Sequence, residues 1–403
     1  MVFNLNEFLI AVSNALDFVE MDIFGVVTNH SKRVAYISMR IAENMGLSKE
    51  QIFDIISLAM LHDNGASEKI LHDNLIGRNK SQMHSIESKQ EHGIRGEENI
   101  RSYPFLTDVH NVIKYHHENY DGTGFFGIKA EQIPVMAQII KLADTMELNS
   151  SLKEMFIEDK QRVQSFVKLH ENTMFAPALV NAFLEVSHTP CFWLDLKDEF
   201  INFSIRRNMP NFSMDMTLYE IHGITKVFSK IIDAKSQFTQ EHSAKLSEKA
   251  AIMGEFYKKP ADEIYKLIIA ADLHDIGKLA ISNSILDKPG RLDEREFDVI
   301  KQHSYYTRLS LQEITGFEDI TEWASNHHEK LNGKGYPHGK TGQDLDFNSR
   351  LIACLDVYQA LMEERPYRTH MTNKQAAEIL DQMAAEGSLD RNIADDIKRV
   401  FRG

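Results

Sequence analysis

The sequence predicts an all-α protein made of two tandem helical bundles, and three observations carry that expectation. One set of histidines and aspartates occurs twice along the 403 residues. Apolar residues follow helical spacing up to each repeated pair, and strand signals are scarce. His62-Asp63-Asn64-Gly65 and His274-Asp275-Ile276-Gly277 lie 212 residues apart, as do His30 and His242, and Asp144 and Asp356. His116-His117-Glu118 and His327-His328-Glu329 lie 211 apart, as do His92 and His303. Ten of the 18 histidines occupy these matched positions, which random placement would not produce. Only two copies of a long unit exist, so the repeat is a duplicated domain rather than a solenoid.

The elements follow in order. Ser48-Lys49-Glu50-Gln51 has the pattern of a capping box and leads into Ile52, Ile55, Ile56, Leu58, Ala59 and Leu61, just ahead of His62-Asp63. In the second copy Pro260 marks the helix start, and Ile264, Leu267, Ile268, Ala271 and Leu273 run up to His274-Asp275. Residues 191–205 alternate weakly and fit a short strand or a joining helix. Pro190 and Pro210 punctuate the chain between Val186 and Asn211. The expected domains are therefore 1–190 and 214–403, joined by a linker over 191–213. Residues 214–251 are expected to open the second domain as one long helix. Thr372-Asn373-Lys374-Gln375 reads as another capping box, and Gly387 as a helix stop.

Composition narrows the function. With 43% hydrophobic and 26% charged residues, the chain is an ordinary globular protein. No apolar run is long enough to span a bilayer, and the N-terminus lacks a basic leader, so neither membrane nor export is expected. Cys191 and Cys354 form no C-x-x-C pair; both are expected as small core residues in a reduced, cytoplasmic protein. A net charge of −14 argues against polymeric nucleic acid as partner, but not against a small phosphate ester neutralised locally. The pair Phe192-Trp193 is expected to pack between the domains.

The repeated constellation points to metal chemistry. Imidazole and carboxylate ligands suit borderline to hard divalent ions such as iron, manganese or zinc, with nickel and magnesium also admissible. Six or seven ligands per half exceed the needs of one zinc, so a pair of ions per site is the natural reading. Two such ions catalyse phosphoester hydrolysis. A lone histidine on a helix is more often a hydrogen-bonded core residue than a ligand. The whole spaced set occurring twice reverses that balance.

The second half carries His274-Asp275-Ile276-Gly277-Lys278, then His303, then His327-His328-Glu329-Lys330-Leu331-Asn332-Gly333-Lys334-Gly335-Tyr336-Pro337. It resembles the HD-GYP subfamily of the HD metal-dependent phosphohydrolases, and residues 3–185 resemble the HD superfamily less closely. The resemblance implies hydrolysis of a cyclic dinucleotide, chiefly cyclic di-GMP, to the linear dinucleotide or to GMP. Cyclic GMP-AMP or another nucleotide is the alternative substrate. It implies His242, His274, Asp275, His303, His327, His328 and Asp356 as ligands of two metals, with Asp275 bridging. Hydroxide between the metals would be the nucleophile, so no side chain need be one. Lys278 would contact the substrate phosphate, Arg365 and Arg368 would add further contacts, and Tyr336 would line the nucleotide pocket. Two departures stand out: Gln359 where a second aspartate is usual, and Phe238 where some relatives offer a carboxylate for a third metal.

The first half keeps His30, His62, Asp63, His92, His116, His117 and Asp144. Ala66 stands in the place of Lys278, and Phe125-Phe126 in that of Tyr336-Pro337. Metal binding is expected there, with a sensing role as alternative to turnover. A homodimer or a signalling protein would be compatible partners.

Overall fold

The computed structural model describes residues 1–24, 29–67, 86–149, 157–236, 241–363 and 371–401. It is helical almost throughout; among the described residues the only sheet is the pair β1 (Val2–Asn4) and β2 (Ser213–Asp215). The chain divides into two compact units, Leu16–Ser213 and Met1–Ala15 with Met214–Gly403. The unit that holds Met214–Gly403 is discontinuous in sequence, because it also takes in the first fifteen residues.

In chain order the helices up to Asn208 are α1 (Leu5–Phe24), α2 (His30–Asn44), α3 (Lys49–Met60), α4 (Ile86–Asn99), α5 (Val135–Asn149), α6 (Ile157–Leu169), α7 (Pro177–Val186), α8 (Pro190–Asp195) and α9 (Ile201–Asn208). The others are α10 (Leu218–Ala234), α11 (His242–Phe256), α12 (Ala261–Leu273), α13 (Asn283–Leu286), α14 (Glu294–Leu311), α15 (Glu318–Ser325), α16 (Phe347–Met362), α17 (Asn373–Ala385) and α18 (Arg391–Val400). The bounds of α2 and α11 differ by the repeat distance of 212 at both ends. The duplication is therefore visible in the helices as well as in the ligands.

Capping sets several of these boundaries. The Ser48–Gln51 and Thr372–Gln375 boxes form as their sequences predict, each satisfying two backbone or side-chain donors reciprocally. Gly387 has φ 69°, just past the end of α17, where a side chain would be strained. The long helix expected over 214–251 is instead two, α10 ending at Ala234 and α11 opening at His242. The carboxylate of Asp233 accepts from Ser243 N (3.0 Å) and Ser243 Oγ (2.6 Å), which caps the first turn of α11 and places His242 there.

In the unit Leu16–Ser213, Val34, Ile37 and Ile41 of α2 are buried with Phe53 and Ile56 of α3 and Ile139 and Ile140 of α5. The expected linker 191–213 is part of this core rather than a bare connection. It forms α8 and α9 and buries Phe192, Trp193, Ile201 and Ile205. Phe192 lies 6.0 Å from Tyr36, whose hydroxyl donates to Asp195 (2.6 Å), and Trp193 Nε1 donates to Ser187 O (2.7 Å). Phe192 and Trp193 therefore pack inside the first unit. Cys354 is buried as expected, but Cys191 is exposed, because the neighbouring aromatics take the inner face of α8.

In the other unit the first residues supply core. Phe3 and Phe8 meet Phe317 and Phe228, with centroids 5.3 to 6.4 Å apart. Thr315 N donates to Glu7 Oε2 (2.9 Å). Burying four such rings contributes about 2 kcal/mol each, which explains why this segment leaves its own sequence neighbours. Among the described residues no helix is long and apolar enough to cross a membrane.

Candidate metal centres

Most of the repeated histidines open, follow or lie on a helix, while His116 and His117 lie in a turn. His30 opens α2 after Asn29, whose φ of 70° turns the chain into the helix. His62-Asp63 and His274-Asp275 follow the ends of α3 and α12; His92 and His303 lie on α4 and α14, and Asp144 and Asp356 on α5 and α16. Five of these imidazoles are held in the same way. Nδ1 donates to the backbone carbonyl three residues back: His62 to Ala59 (2.7 Å), His116 to Ile113 (2.5 Å) and His274 to Ala271 (2.8 Å). His303 to Ile300 and His327 to Ala324 (both 2.6 Å) complete the set. A carbonyl can only accept, so Nδ1 carries the proton and Nε2 presents a lone pair.

Those lone pairs converge. In the first unit Asp63, His92, His116 and His117 bring one ligand atom each to within 4.8 Å of the others, and His30, His62 and Asp144 form a second group. In the second unit the groups are His303, His327 and His328; His242, His274 and Asp356; and His274, Asp275 and His327. All seven residues expected in each half are thus brought together. One carboxylate faces both groups in each unit. Asp63 Oδ2 is 3.4 Å from His62 Nε2 and Oδ1 is 2.9 Å from His92 Nε2. Asp275 Oδ2 is 3.0 Å from His274 Nε2, while Oδ1 is 3.5 Å from His303 Nε2 and 3.7 Å from His327 Nε2.

Two observations test whether divalent ions fit. The buried Nε2 atoms of His62, His92, His116, His242 and His274 make no hydrogen bond of normal geometry, although carboxylates lie close by. Such atoms point at a shared space instead of at one another. His303 Nε2 and His327 Nε2 stand 3.1 Å apart, yet both rings already carry their proton on Nδ1. Two facing lone pairs repel unless a cation lies against both, so the donor set fits divalent ions.

Charge agrees with geometry. Burial lowers His303 to about 3 and His328 to about 4, and nearby histidines and Lys278 add to it, so these rings are neutral. Burial opposes ionisation of Asp275 and Asp356 too, but His274 and Lys278 around the first, and His242 and His328 around the second, hold both carboxyls well below the usual range. Against burial, Asp356 and Glu363 raise His242 to about 9, so it is the buried carboxylates beside the neutral His303 and His328 rings that suit a divalent cation.

The surroundings separate the two units. Lys278 Nζ donates to Asp275 Oδ2 (2.5 Å). The Tyr336 ring lies 4.8 Å from His328 and 6.3 Å from both His303 and Phe297, and Phe297 is 46% exposed. In the first unit Phe125 lies 6.1 Å from His117, and the Lys278 position is Ala66. Arg365, Arg368 and Phe238 lie outside the described residues.

Glu118 and Glu329, each directly after a His-His pair, have a role that the sequence alone does not assign. Glu118 accepts from Phe126 N (2.9 Å) and Ile128 N (3.2 Å), and Glu329 from His338 N (2.7 Å) and Lys340 N (2.9 Å). Each glutamate braces the loop that carries Phe125 or Tyr336. Its place directly after each His-His pair was the available signal.

Comparison with known proteins agrees with this architecture. The HD domain family matches residues 22–173 and 226–393. The chain is 31% identical to 3'3'-cGAMP-specific phosphodiesterase 1 of Vibrio cholerae, over 98% of this chain and 91% of that one. It is 29% identical to 3'3'-cGAMP-specific phosphodiesterase 3 of the same organism, over 94% and 91%. The cyclic di-GMP phosphodiesterase response regulator RpfG of Xanthomonas campestris is 34% identical over 36% of this chain and 39% of its own. The crystal structure of a cyclic GMP-AMP specific phosphodiesterase of V. cholerae, V-cGAP3, superposes with a TM-score of 0.68 at 25% identity, covering 100% of this chain and 98% of that one. The chain belongs to the HD domain family of metal-dependent phosphohydrolases and carries the domain twice.

Proposed function

We propose that the protein hydrolyses a cyclic dinucleotide at the centre built by His242, His274, Asp275, His303, His327, His328 and Asp356. The split of the Asp275 oxygens between two histidine groups carries the reading, since one carboxylate within reach of both groups would serve a two-ion site. Two divalent ions held there would supply a nucleophile at neutral pH and Lewis acidity toward the phosphoryl oxygens. Iron or manganese suits the mixed imidazole and carboxylate set best.

The chain's own groups handle the substrate. Lys278, four residues after His274 and present in the repeated turn of the second unit alone, can neutralise a phosphate oxygen. Burial, together with Asp356 and Asp275, keeps the Tyr336 hydroxyl protonated, so it can donate to an anionic oxygen. The exposed Phe297 ring, edge-on to the partly exposed Tyr336, can stack a nucleobase. Lys278→Ala is expected to lower kcat/KM by about 100-fold, as for loss of one charge-stabilising donor, without changing metal content. Steady-state kinetics paired with metal analysis checks this.

Among cyclic dinucleotides, 3'3'-cyclic GMP-AMP is favoured over cyclic di-GMP. The relatives that match both halves bear the cGAMP-specific name, whereas the cited cyclic di-GMP phosphodiesterase matches about a third of the chain. Manganese- or iron-loaded protein incubated with 3'3'-cGAMP, cyclic di-GMP and a nucleoside phosphate, with products identified by mass, tests both levels. Faster loss of cyclic di-GMP would reverse the order of the first two, and three intact substrates would refute the activity. The first unit, with its ligands but without Lys278 and Tyr336, has the composition of a metal-bearing nucleotide sensor.

A further inference from the structure

His30 and His242 differ from the five histidines held by backbone carbonyls, because Nδ1 of each faces a carboxylate. In the first unit the carboxylate is Glu147, whose Oε2 lies 2.5 Å from His30 Nδ1. Glu147 follows Asp144 by three residues, so both project from one face of α5. The fully buried Arg33, three residues after His30, donates Nε to Glu147 Oε1 (2.7 Å) and NH1 to Asp198 Oδ1 (2.8 Å). Burial would raise the Glu147 carboxyl, but His30 and Arg33 hold it below its ordinary range.

The second unit lacks this pair at the matching positions. Gln359 stands 212 residues after Glu147, and Lys245, in the place of Arg33, pairs with Glu241 at the surface. The same arrangement is rebuilt one turn further along both helices. Glu363, seven residues beyond Asp356, places Oε2 2.9 Å from His242 Nδ1. Gln359 Nε2 donates to Glu363 Oε1 (2.5 Å), and Lys249, seven residues beyond His242, donates Nζ to Gln359 Oε1 (2.6 Å). Asp356 and Gln359 share a face of α16 and Glu363 follows at its C-terminal cap, and all three reach residues of α11.

We propose that Glu363 is the positioning residue that holds His242 with its proton on Nδ1 and its Nε2 turned to the metal, with Gln359 and Lys249 supporting it in place of the Glu147–Arg33 pair. The missing second aspartate of the family pattern is thereby replaced rather than lost. The inference rests on reading these clusters as metal centres, and its test reads metal binding without substrate.

The test titrates the full chain with cobalt(II), following visible absorption, and counts ions per chain after dialysis. Glu363→Ala is expected to weaken one ion in the chain by about 10- to 100-fold, the usual effect of removing a carboxylate behind a histidine ligand. Glu363→Gln, which keeps the volume, is expected to weaken the same ion less. Adding Gln359→Glu to Glu363→Ala restores the first unit's geometry, with Lys249 in the part of Arg33, and is expected to recover at least tenfold. Unchanged affinity and stoichiometry in both single variants would overturn the proposal. A loss that Gln359→Glu does not recover would reduce Glu363 to a packing role and overturn it equally. Wild-type protein that takes up no cobalt(II) would remove the metal-centre reading itself, and the proposal with it.

Discussion

Alanine at His274 is expected to abolish hydrolysis of the cyclic dinucleotide by the whole chain, whereas alanine at His62 leaves most of it in place. The two imidazoles are otherwise alike: both are fully buried, and both donate Nδ1 to the carbonyl three residues back. Under the proposed reading each substitution removes a ligand, so each lowers the metal content of the chain. Their effects on turnover part because Lys278 and Tyr336 belong to the second centre alone, while Ala66 and Phe125 stand in the first. The expected loss in kcat/KM for His274→Ala is about 1000-fold or more, equivalent to about 4 kcal/mol of transition-state stabilisation. The measurement is kcat/KM beside metal content for both variants. Equal losses of turnover would assign an independent active site to each half.

The second large effect concerns a glycine. Gly277 sits in the turn after His274-Asp275, and a Cβ there would lie 2.0 Å from the carbonyl oxygen of His303 and 2.8 Å from Thr307 N. The turn is seated directly on α14, where Thr307 Oγ1 donates to His274 O (2.8 Å) and accepts from Gly277 N (3.2 Å). Both obstructing atoms are backbone, so they can yield only by moving α14 away from the turn. That motion would separate His303 from His274 and Asp275. Gly277→Ala is therefore expected to cost about 3 kcal/mol or more and to empty the site of metal. The unfolding midpoint should fall by roughly 6–12 °C for a unit of this size. Gly223→Ala on α10, with nothing within 4 Å, is the control and should be neutral or slightly stabilising. Variant and control that melt together, with equal metal content, would show that the close approach is not needed. Gly65 meets His92 O at 2.4 Å in the same way, so the first unit should respond alike.

Much of this was legible in the chain because the information is local or repeated. Capping boxes at Ser48 and Thr372 act within four residues, and helical periodicity shows within two turns. The candidate ligands appear through duplication: a spacing that recurs for five histidine pairs does not depend on knowing the fold. Other features are long-range and leave no periodic trace. The packing of Phe3 and Phe8 against Phe228 and Phe317 is decided by which apolar surface is available, not by order in the chain. The absorption of 191–213 into a core has the same cause.

The sequence by itself determined that this is a duplicated helical protein with two sets of candidate His and Asp ligands, and that only the second half has Lys278 and Tyr336. Only the tertiary structure decided how the Asp63 and Asp275 oxygens divide between their neighbours, and which carboxylate stands behind His242. That carboxylate is Glu363, 121 residues away in the chain, rather than the residue at position 359. The physical reason is that helix position restricts a side chain to a face but not to a partner. Burial then demands that each Nδ1 proton find an acceptor, and packing selects the one within reach.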